Sequence, residues 1–515
     1  MRRFFKRLYR TFLSRYAISA IFICLELVLF LFLVFGNIDS FLIFLFIAAV
    51  VDIPAFLSLI NKNANPEYKV PWVFIISALP IAGAVIYFLF YTRRMSRSET
   101  RLLVGIFKML KSERCPENYI TALCERDTLA YGKANALLND YPLAEVYSDS
   151  SAKLFSCGEE YFESLINDIS SAKNYIFLEY FIIDEGSLWD EIHAILVKKA
   201  AEGVDVRLIY DDIGCMKTLP PRYERTLRRE GIKTYRFNKV SPRISPIHHN
   251  RDHRKICIVD GKFAYTGGVN IADEYVNRVS RFGYWKDGGI RLSGMAVRGF
   301  VKMFLSAFDT VSGTVSDYEG ILSLTEKEKE SDGGFYIPFA SGPAPTYKRP
   351  AGKNAFLNLI NQAERYVYIT TPYLIIDYEL TEALCNASLR GVDVRIITPG
   401  VPDKKIVKVM TKSAYPYLID AGVRIYEYQP GFIHEKTFIS DDKYLVVGTI
   451  NFDYRSLVHH YEDAVWAYNS GVTEHAREQF LKTLEDSKKM TKRSSRLTPS
   501  EWFFKNIIRI FAPLL

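Results

Sequence analysis

Long apolar stretches dominate the beginning of the chain. Three of them follow one another, at residues 17–35, 38–60 and 71–91. Each has about the 20 apolar residues that a helix needs to cross a bilayer core of about 30 Å. Glu26 interrupts the first stretch, and Asp52 and Pro54 interrupt the second. The pattern predicts an N-terminal membrane domain over residues 1–111. No small-residue cleavage site follows the first stretch, which argues against a cleaved signal peptide.

Basic residues flank this apolar region on both sides. They stand at positions 2, 3, 6, 7, 10 and 15 and at positions 93, 94, 97 and 101. Because Lys and Arg near spans favour the cytoplasm, an even number of crossings would place both groups there. Either one stretch does not cross fully, with the charged first and second as the better candidates, or one basic group lies outside. We expect a multi-pass protein of the cell membrane.

The rest of the chain repeats itself. A polar, helical stretch at residues 112–150 is interpreted as a linker. A helix-then-strand segment that ends at Asp184 then recurs in a segment that ends at Asp377. The sequence GVDVR begins at Gly203 and again at Gly391, where a glycine helix stop precedes alternating valine and isoleucine. These matches indicate an internal duplication of about 180 residues.

Helices that alternate with strands are typical of an α/β architecture. We predict two duplicated α/β sandwich halves with mixed sheets, preceded by the N-terminal transmembrane helices. The halves are expected at residues 151–330 and 331–485. A basic, amphipathic tail follows at residues 486–515, and the apolar face of its last helix either lies on a membrane surface or packs on the protein.

One pattern of residues occurs once in each half. It begins at His253 and at His434, and the same residue types follow two, seven, fourteen and seventeen positions later. These residues are Lys255, Asp260, Gly267 and Asn270 in the first copy, and Lys436, Asp441, Gly448 and Asn451 in the second. Alternation along a strand would send His253 and Lys255 to the same side. Agreement at five positions in two copies indicates a shared function.

The residue types in this pattern suit displacement at a phosphodiester. That reaction builds negative charge on phosphoryl oxygens, and a site without metal must supply fixed positive donors. Lys255 and Lys436 are suited to this, and the amides of Asn270 and Asn451 can donate to the same oxygens. A neutral histidine can attack phosphorus while a protonated one gives its proton to the leaving alcohol. Metal-ligand spacing is absent from the sequence, so we predict neither a metal nor another cofactor.

Charge and cysteine content indicate which class of partner the protein binds and in which redox compartment it lies. The formal net charge is +8, and the basic groups flank apolar segments, which favours anionic membrane lipid over nucleic acid. The seven cysteines are odd in number and show no C-x-x-C spacing. Neither a disulfide framework nor a zinc site is therefore indicated, and a reducing compartment fits. We expect the part of the chain after the spans to be cytoplasmic.

The doubled His-x-Lys-x4-Asp pattern resembles that of the phospholipase D superfamily. The apolar beginning, with NPEYKVPW at residues 65–72, resembles the bacterial cardiolipin synthase branch. The resemblance covers nearly the whole chain. It implies two halves whose motifs face each other, and transfer of a phosphatidyl group from one phosphatidylglycerol to another with release of glycerol.

The resemblance also implies roles for the motif residues. It makes His253 the nucleophile that forms a phosphohistidine, and His434 the general acid that later becomes the base. The near symmetry of the two motifs leaves the opposite order as the alternative. Asp260 and Asp441 complete the catalytic motif, with a structural role as the alternative for both.

A histidine used in this way needs a carboxylate on its far nitrogen. Glu462 stands in the same half as His434, where the family places such a partner. Asp287 is the candidate for the first half, although Gly288-Gly289 replaces the Thr-His that is common there.

The motifs leave several reactions open. Water as acceptor would make the protein a phospholipase D-type hydrolase, and another alcohol would make it another phosphatidyltransferase. A nuclease of the same superfamily would be a soluble, strongly basic chain, and a non-catalytic membrane scaffold would not keep every motif position.

Overall fold

The computed structural model of the protein describes residues 15–34, 38–63, 65–91, 97–239, 250–344 and 346–514. The chain divides into two compact units. The first contains the N-terminal apolar helices and the end of the last helix, from Trp502, and the second contains Ser96–Lys239 and Asn250–Glu501. The basic residues at positions 2–10 and 93–94 lie outside the described residues.

The first unit is helical. Its N-terminal helices are α1 (Arg15–Val34), α2 (Ile38–Ile60), α3 (Val70–Ala78) and α4 (Ala82–Phe90). Among the described residues, one stretch, Phe41–Ile60 in α2, is long and apolar enough to cross a membrane by length and composition. The third predicted span differs from its expectation, since residues 71–91 form the two short helices α3 and α4 rather than one long helix.

The helices α3 and α4 form an antiparallel hairpin. Trp72 at the beginning of α3 contacts Tyr91, directly after α4, with ring centroids 5.5 Å apart. A Cβ added to Gly83 in α4 would come within 2.3 Å of the carbonyl oxygen of Ile75 in α3. The glycine therefore allows two helix backbones to touch, and the turn of the hairpin falls at Pro80.

Two carboxylates from α1 and α2 hold the turn of this hairpin. The Ile81 N–H donates to Asp52 at 3.0 Å, and the Ala82 N–H donates to Glu26 at 3.1 Å. The first N–H groups of a helix have no partner within the helix, so an acidic side chain stabilises them. The acidic residues that interrupt the first two apolar stretches thus stabilise the turn of the hairpin that the third stretch forms.

The second unit contains two large sheets. The first sheet has β1 (Ser150–Phe155), β2 (Tyr175–Tyr180), β3 (Asp205–Asp211), β4 (Lys233–Phe237), β5 (Ile256–Val259), β6 (Phe263–Gly267) and β8 (Gly289–Gly294). The second has β9 (Phe335–Ser341), β10 (Tyr366–Thr370), β12 (Asp393–Pro399), β13 (Arg424–Tyr428), β15 (Thr437–Ser440), β16 (Tyr444–Gly448), β18 (Glu462–Tyr468) and β19 (Ser487–Lys489). Short pairs are formed by β7 (Tyr284–Lys286) with β14 (Gly431–Ile433), and by β11 (Leu374–Ile375) with β17 (Phe452–Asp453).

The strand orders confirm the duplication. The first sheet runs β1-β8-β6-β5-β2-β3-β4, and the second runs β9-β18-β16-β15-β10-β12-β13-β19. In each sheet three parallel strands adjoin antiparallel strands, so both sheets are mixed, as the sequence predicts. Each strand of the first sheet has a counterpart in the second, which adds β19 at its edge.

Helices cover these sheets. They are α5 (Arg97–Ser112), α6 (Tyr119–Arg126), α7 (Thr128–Asp140), α8 (Gly158–Ser171), α9 (Ser187–Ala201), α10 (Tyr223–Arg229), α11 (Val297–Ser312), α12 (Tyr318–Leu322), α13 (Ala351–Asn361), α14 (Tyr378–Leu389), α15 (Lys405–Asp420) and α16 (Val472–Glu485). The last helix, α17 (Pro499–Phe511), begins in the second unit and ends in the first. The helix α11 is buried from Val297 to Asp309, and its Phe300 shares one apolar core with Ile258 of the first sheet and Ile337 of the second. A common core therefore joins the two halves.

Residues 112–150, interpreted from the sequence as a linker, belong to this core. Leu123 and Leu137, in α6 and α7, are buried with side chains of the second half. The Asp127 carboxylate accepts a hydrogen bond from Tyr468 at 2.7 Å. The segment is a helical cover for the second sheet.

Candidate active site

Each motif histidine stands just before a strand in the middle of its sheet. His253 precedes β5, which pairs with β2 and β6, and His434 precedes β15, which pairs with β10 and β16. Both faces of β5 are covered, because Ile256 and Cys257 lie in different apolar cores. A strand packed on both faces leaves little freedom to the residues that precede it.

The histidine rings bind carboxylates of the opposite half. Nδ1 of His253 lies 2.8 Å from Glu462, and Nδ1 of His434 lies 2.7 Å from Asp287. The pairing within each half that the sequence suggested is wrong. A carboxylate on Nδ1 leaves Nε2 of each ring for chemistry and fixes the tautomer with its proton on Nδ1.

Backbone hydrogen bonds between the halves impose this exchange. The His253 N–H donates to the Tyr461 carbonyl at 2.8 Å, and the His434 N–H donates to the Lys286 carbonyl at 2.8 Å. Tyr461 directly precedes Glu462, and Lys286 directly precedes Asp287. Each histidine is therefore held, by backbone and by ring, to the same two-residue segment of the other half.

The two motif lysines are buried beside the histidines. The Lys255 ammonium donates to the His253 carbonyl at 2.7 Å, and the Lys436 ammonium donates to the His434 carbonyl. Burial lowers the pKa of Lys255 to about 8 and that of Lys436 to about 7. Each ammonium has three N–H donors and uses one in these contacts, so donors remain for an anion.

Glycine is required at one point of this assembly. A Cβ added to Gly268 would lie 2.0 Å from Oδ1 of Asp287 and 2.7 Å from the carbonyl oxygen of His434. The corresponding residue in the second half is Thr449, whose hydroxyl donates to Glu462. One half thus makes room for its carboxylate, and the other binds the carboxylate directly.

Burial and the nearby lysines lower the pKa values of both histidines. The pKa values of His253 and His434 lie well below their usual range, first because both rings are buried and then because Lys255 and Lys436 are close. Burial raises the pKa of Glu462 to about 8 and that of Asp287 to about 6. Neutral imidazoles are the form that a nucleophile needs.

Two family models match the chain. The model described as "Cardiolipin synthase, PLD-like domain" matches residues 165–280 and 356–484, and "Phospholipase_D-nuclease N-terminal" matches residues 50–90. A cardiolipin synthase of Alkalihalophilus pseudofirmus is 31% identical over 88% of this chain and 90% of its own. The chain belongs to the cardiolipin synthase family. An uncharacterized protein of Streptococcus mutans is 38% identical over 89% of this chain and 99% of its own.

A solved structure has a fold similar to that of this chain. The crystal structure of phosphatidylserine synthase from Haemophilus influenzae matches with a TM-score of 0.54 at 14% identity, over 74% of this chain and 98% of that chain. At this identity the likeness shows the shared fold. Two facing phospholipase D-like halves, expected from the resemblance, are confirmed.

The motif asparagines lie in the site but have partners within the protein. The Asn270 amide donates to the Tyr275 hydroxyl at 2.6 Å, and its oxygen accepts from the Ile182 N–H. The Asn451 side chain hydrogen-bonds Asp453. Each amide has two N–H donors, so a second donor for a phosphoryl oxygen is compatible with these contacts.

The motif aspartates bind backbone N–H groups at the end of the sheet opposite to the histidines. Asp260 accepts backbone N–H groups of Lys173, Asn174 and Tyr175, at the beginning of β2. Asp441 does the same for residues 364–366, at the beginning of β10. In each half a whole strand separates the aspartate from its histidine, at about 3.3 Å per residue. These contacts give Asp260 and Asp441 the structural role and not the catalytic one.

The two histidines have different surroundings. His434 is enclosed by Tyr275, Trp285 and Phe432, with ring centroids 5.6, 5.6 and 5.8 Å away. His253 instead contacts Phe181 at 5.0 Å and a third histidine, His460, at 5.7 Å. The family's near-symmetric motif is therefore set in an asymmetric site.

Sequence reasoning missed two residues of this site. Asp463 accepts the Lys255 backbone N–H at 3.2 Å and the Thr266 hydroxyl, which adds another contact between the halves. His460 lies beside Glu462, although its position fits neither motif. Both flank the predicted Glu462 in HHYED, and this clustering of titratable residues was the signal that could have found them.

Proposed function

We propose that this protein transfers a phosphatidyl group from one phosphatidylglycerol to a second, giving cardiolipin and glycerol. The observation that carries the proposal is the exchange of carboxylates, which sets two histidines and two lysines in one buried site. Relatives of similar length that are named cardiolipin synthase support the choice of lipids. Anionic phospholipid, and no nucleic acid, is the proposed partner.

The first step forms a covalent intermediate on His253. Its Nε2 attacks phosphorus as the bond to the glycerol oxygen breaks. His434, protonated, gives its Nε2 proton to that oxygen, and glycerol leaves. Lys255 and Lys436 donate to the phosphoryl oxygens, where negative charge grows, and the second amide N–H groups of Asn270 and Asn451 can add to them.

The second step reverses these roles with a different alcohol. The terminal hydroxyl of a second phosphatidylglycerol attacks the phosphohistidine, and the now neutral His434 takes its proton. The bond from phosphorus to His253 breaks, and cardiolipin leaves. His434 ends protonated, as it began, so the cycle needs no cofactor.

The carboxylates make the two roles possible. Glu462 keeps a proton on Nδ1 of His253, which leaves the Nε2 lone pair free to attack. Asp287 stabilises the imidazolium that His434 becomes. Burial and the nearby lysines lower the pKa of His434, whereas the negative charge of a bound phosphodiester favours proton uptake by the ring. Substrate binding therefore prepares the acid.

One lipid assay distinguishes this proposal from its alternatives. The purified protein is incubated with phosphatidylglycerol alone in metal-free buffer, and the products are resolved. Cardiolipin with free glycerol supports transfer, whereas phosphatidic acid identifies a hydrolase. Another acceptor alcohol, added in competition, reveals a different phosphatidyltransferase. Cleavage of DNA without lipid turnover would overturn the proposal.

We infer that α1 and α2 cross the membrane and that the α3–α4 hairpin enters it and turns back. Each hairpin helix has nine residues, which is about 13 Å and about half of a bilayer core. Glu26, which binds the hairpin turn, is at the middle of its apolar stretch. The Lys62 ammonium, after α2, lies 3.9 Å from the ring of Tyr91, after α4. Both contacts fit a hairpin that returns to the side where it began.

Two crossings reconcile the basic residues on both flanks. They place the basic groups before α1 and after α4 on one side, which the positive-inside preference makes cytoplasmic. The sequence favoured the charged first or second stretch as the one that does not cross, and the geometry favours the third. Cysteines introduced at Asn63 and Ser98 in a cysteine-free variant test this in intact cells. Equal protection from an impermeant thiol reagent is expected, and labelling of one position alone would refute two crossings.

We also propose that α17 lies on the membrane surface. Trp502, Phe503, Phe504 and Ile507 are each about half exposed, and Phe511 contacts Phe74 of α3 with ring centroids 5.5 Å apart. A helix with exposed aromatic residues and basic neighbours suits the interface of an anionic bilayer. This favours the first of the two interpretations of the tail.

A further inference from the structure

Three buried side chains converge behind the nucleophilic ring. Glu462 lies between His253 and His460, and one ligand atom from each of the three residues falls within 4.8 Å of the other two. Nδ1 of His253 is 2.8 Å from Glu462, and Nδ1 of His460 is 3.8 Å from it. The proposed reaction uses His253 and Glu462 but gives His460 no task.

His460 points an unsatisfied nitrogen into this cluster. The residue is 9% exposed, and its Nδ1 has no hydrogen-bond partner among the described residues. The gap of 3.8 Å to Glu462 is too long for a hydrogen bond. Ligand atoms on a tetrahedral zinc ion are about 3.4 Å apart, since zinc binds nitrogen and oxygen at about 2.1 Å. The gap therefore has the size that a metal ion would bridge.

We propose that His253, His460 and Glu462 form an inhibitory site for Zn²⁺. Two histidines and one glutamate, with an open fourth position, are a common zinc donor set. Zinc at this site would be an inhibitor and not a cofactor, because the proposed reaction proceeds without metal. Lys255 and Lys436 oppose a cation here, so we expect reversible binding that a chelator removes.

The consequence for catalysis follows from the tautomer of His253. In the active site the ring carries its proton on Nδ1, where Glu462 accepts it, and keeps the Nε2 lone pair for phosphorus. Zinc on Nδ1 needs the lone pair of that nitrogen, so a neutral ring must carry its proton on Nε2. No proton is gained or lost by the ring, yet its nucleophilic nitrogen is blocked. Zinc should therefore lower kcat.

The test measures zinc binding and zinc inhibition separately. Metal-stripped, full-length protein in detergent is dialysed against buffered ZnCl₂, and bound zinc is counted. Cardiolipin formation is measured over the same zinc range, each variant being compared with its own rate without zinc. The variants are His460→Asn, which removes one ligand, and His475→Asn, a control at an exposed histidine.

We expect His460→Asn to lose one bound zinc per chain and to need more than about tenfold more zinc for half-inhibition, since even supporting residues of metal sites contribute that much. His475→Asn should behave as the unaltered protein. If a variant misfolds, zinc X-ray absorption of the unaltered protein still identifies the ligands. Two imidazoles on the zinc are expected. Equal zinc content and inhibition in both variants, or a spectrum without imidazole, would overturn the proposal.

Only the inhibition arm rests on the proposed function. If the protein makes no cardiolipin but binds zinc through His460, the metal site stands and the reaction falls. If cardiolipin forms and zinc binding is independent of His460, the reaction stands and the metal site falls.

Discussion

Nδ1 of His253 lies 2.8 Å from Glu462, a residue more than two hundred positions away in the other half of the chain. His434 and Asp287 make the reciprocal contact at 2.7 Å. Neither half provides both members of a histidine–carboxylate pair by itself. The duplication thus gives one site whose parts are shared, and not two independent sites.

This exchange predicts which step each carboxylate supports. Glu462→Gln should impair attack by His253 for every leaving group, because the new amide N–H can donate to Nδ1 and so favours the tautomer that carries its proton on Nε2. Asp287→Asn should impair proton donation by His434, so a nitrophenol ester, which needs no acid, should rescue the first step. We expect losses of about 10²- to 10⁴-fold for the natural substrate.

Single-turnover release of nitrophenol from a phosphatidyl nitrophenol ester measures this difference. Rescue in Asp287→Asn but not in Glu462→Gln is the expected result. The reverse pattern would mean that His434 is the nucleophile and His253 the general acid.

The lysines should set the alkaline limit of activity. Their pKa values of about 8 and about 7 in the free protein mean that positive charge is lost as the pH rises through this range, so kcat/KM should fall there. Measured pH profiles of kcat/KM report the free enzyme.

An arginine in place of Lys436 does not lose its charge in this pH range, so it should shift the alkaline limb of the kcat/KM profile. Lys436→Arg keeps its charge, so its remaining activity should fall only as Lys255 titrates, about one pH unit higher. Lys233→Arg, at an exposed position, is the control and should leave the profile unchanged. An alkaline limb that is identical in Lys436→Arg would remove Lys436 from the explanation.

Activity should survive chelation. Positive charge at the phosphate comes from Lys255 and Lys436, so EDTA should leave the rate unchanged, or raise it where zinc contaminates the preparation. Lipid turnover before and after EDTA, followed by removal of the chelator, is the measurement. Loss of turnover that a divalent ion restores would mean that the site depends on a metal.

The last helix should contact lipid. Trp502 is 59% exposed, and we expect brominated lipid in nanodiscs to quench its fluorescence. The quenched component should disappear in Trp502→Phe and persist in Trp189→Phe, since Trp189 is buried in the second unit. A component that aqueous iodide quenches, and brominated lipid does not, would place the helix away from the bilayer.

Local patterns in the sequence predict the motif strands well. His253 and Lys255 stand before an alternating apolar strand, and the spacing repeats at His434 and Lys436, so short-range information suffices. The partner of each ring could not be predicted in this way. Glu462 follows His434 in the chain, but its place beside His253 depends on how the two sheets associate, which no local pattern encodes.

The same reason explains the other differences. Residues 71–91 are uniformly apolar, and the hairpin depends on contacts of its turn with Glu26 and Asp52 in two other helices. Asp260 and Asp441 share the motif spacing but bind backbone N–H groups of a neighbouring strand. Spacing alone does not reveal whether a motif residue lies in the active site or binds the backbone at the opposite end of the strand.

The most direct test of the account is the identity of the covalent intermediate. His434→Ala lacks the acid and the later base, so with a phosphatidyl nitrophenol ester it should complete the first step and stall before the second. Mass spectrometry of the quenched protein should then find an acid-labile phosphatidyl group on the peptide that contains His253, and His253→Ala should show none. An adduct on His434 in the His253→Ala protein would reverse the roles, and an adduct in neither variant would contradict the covalent mechanism.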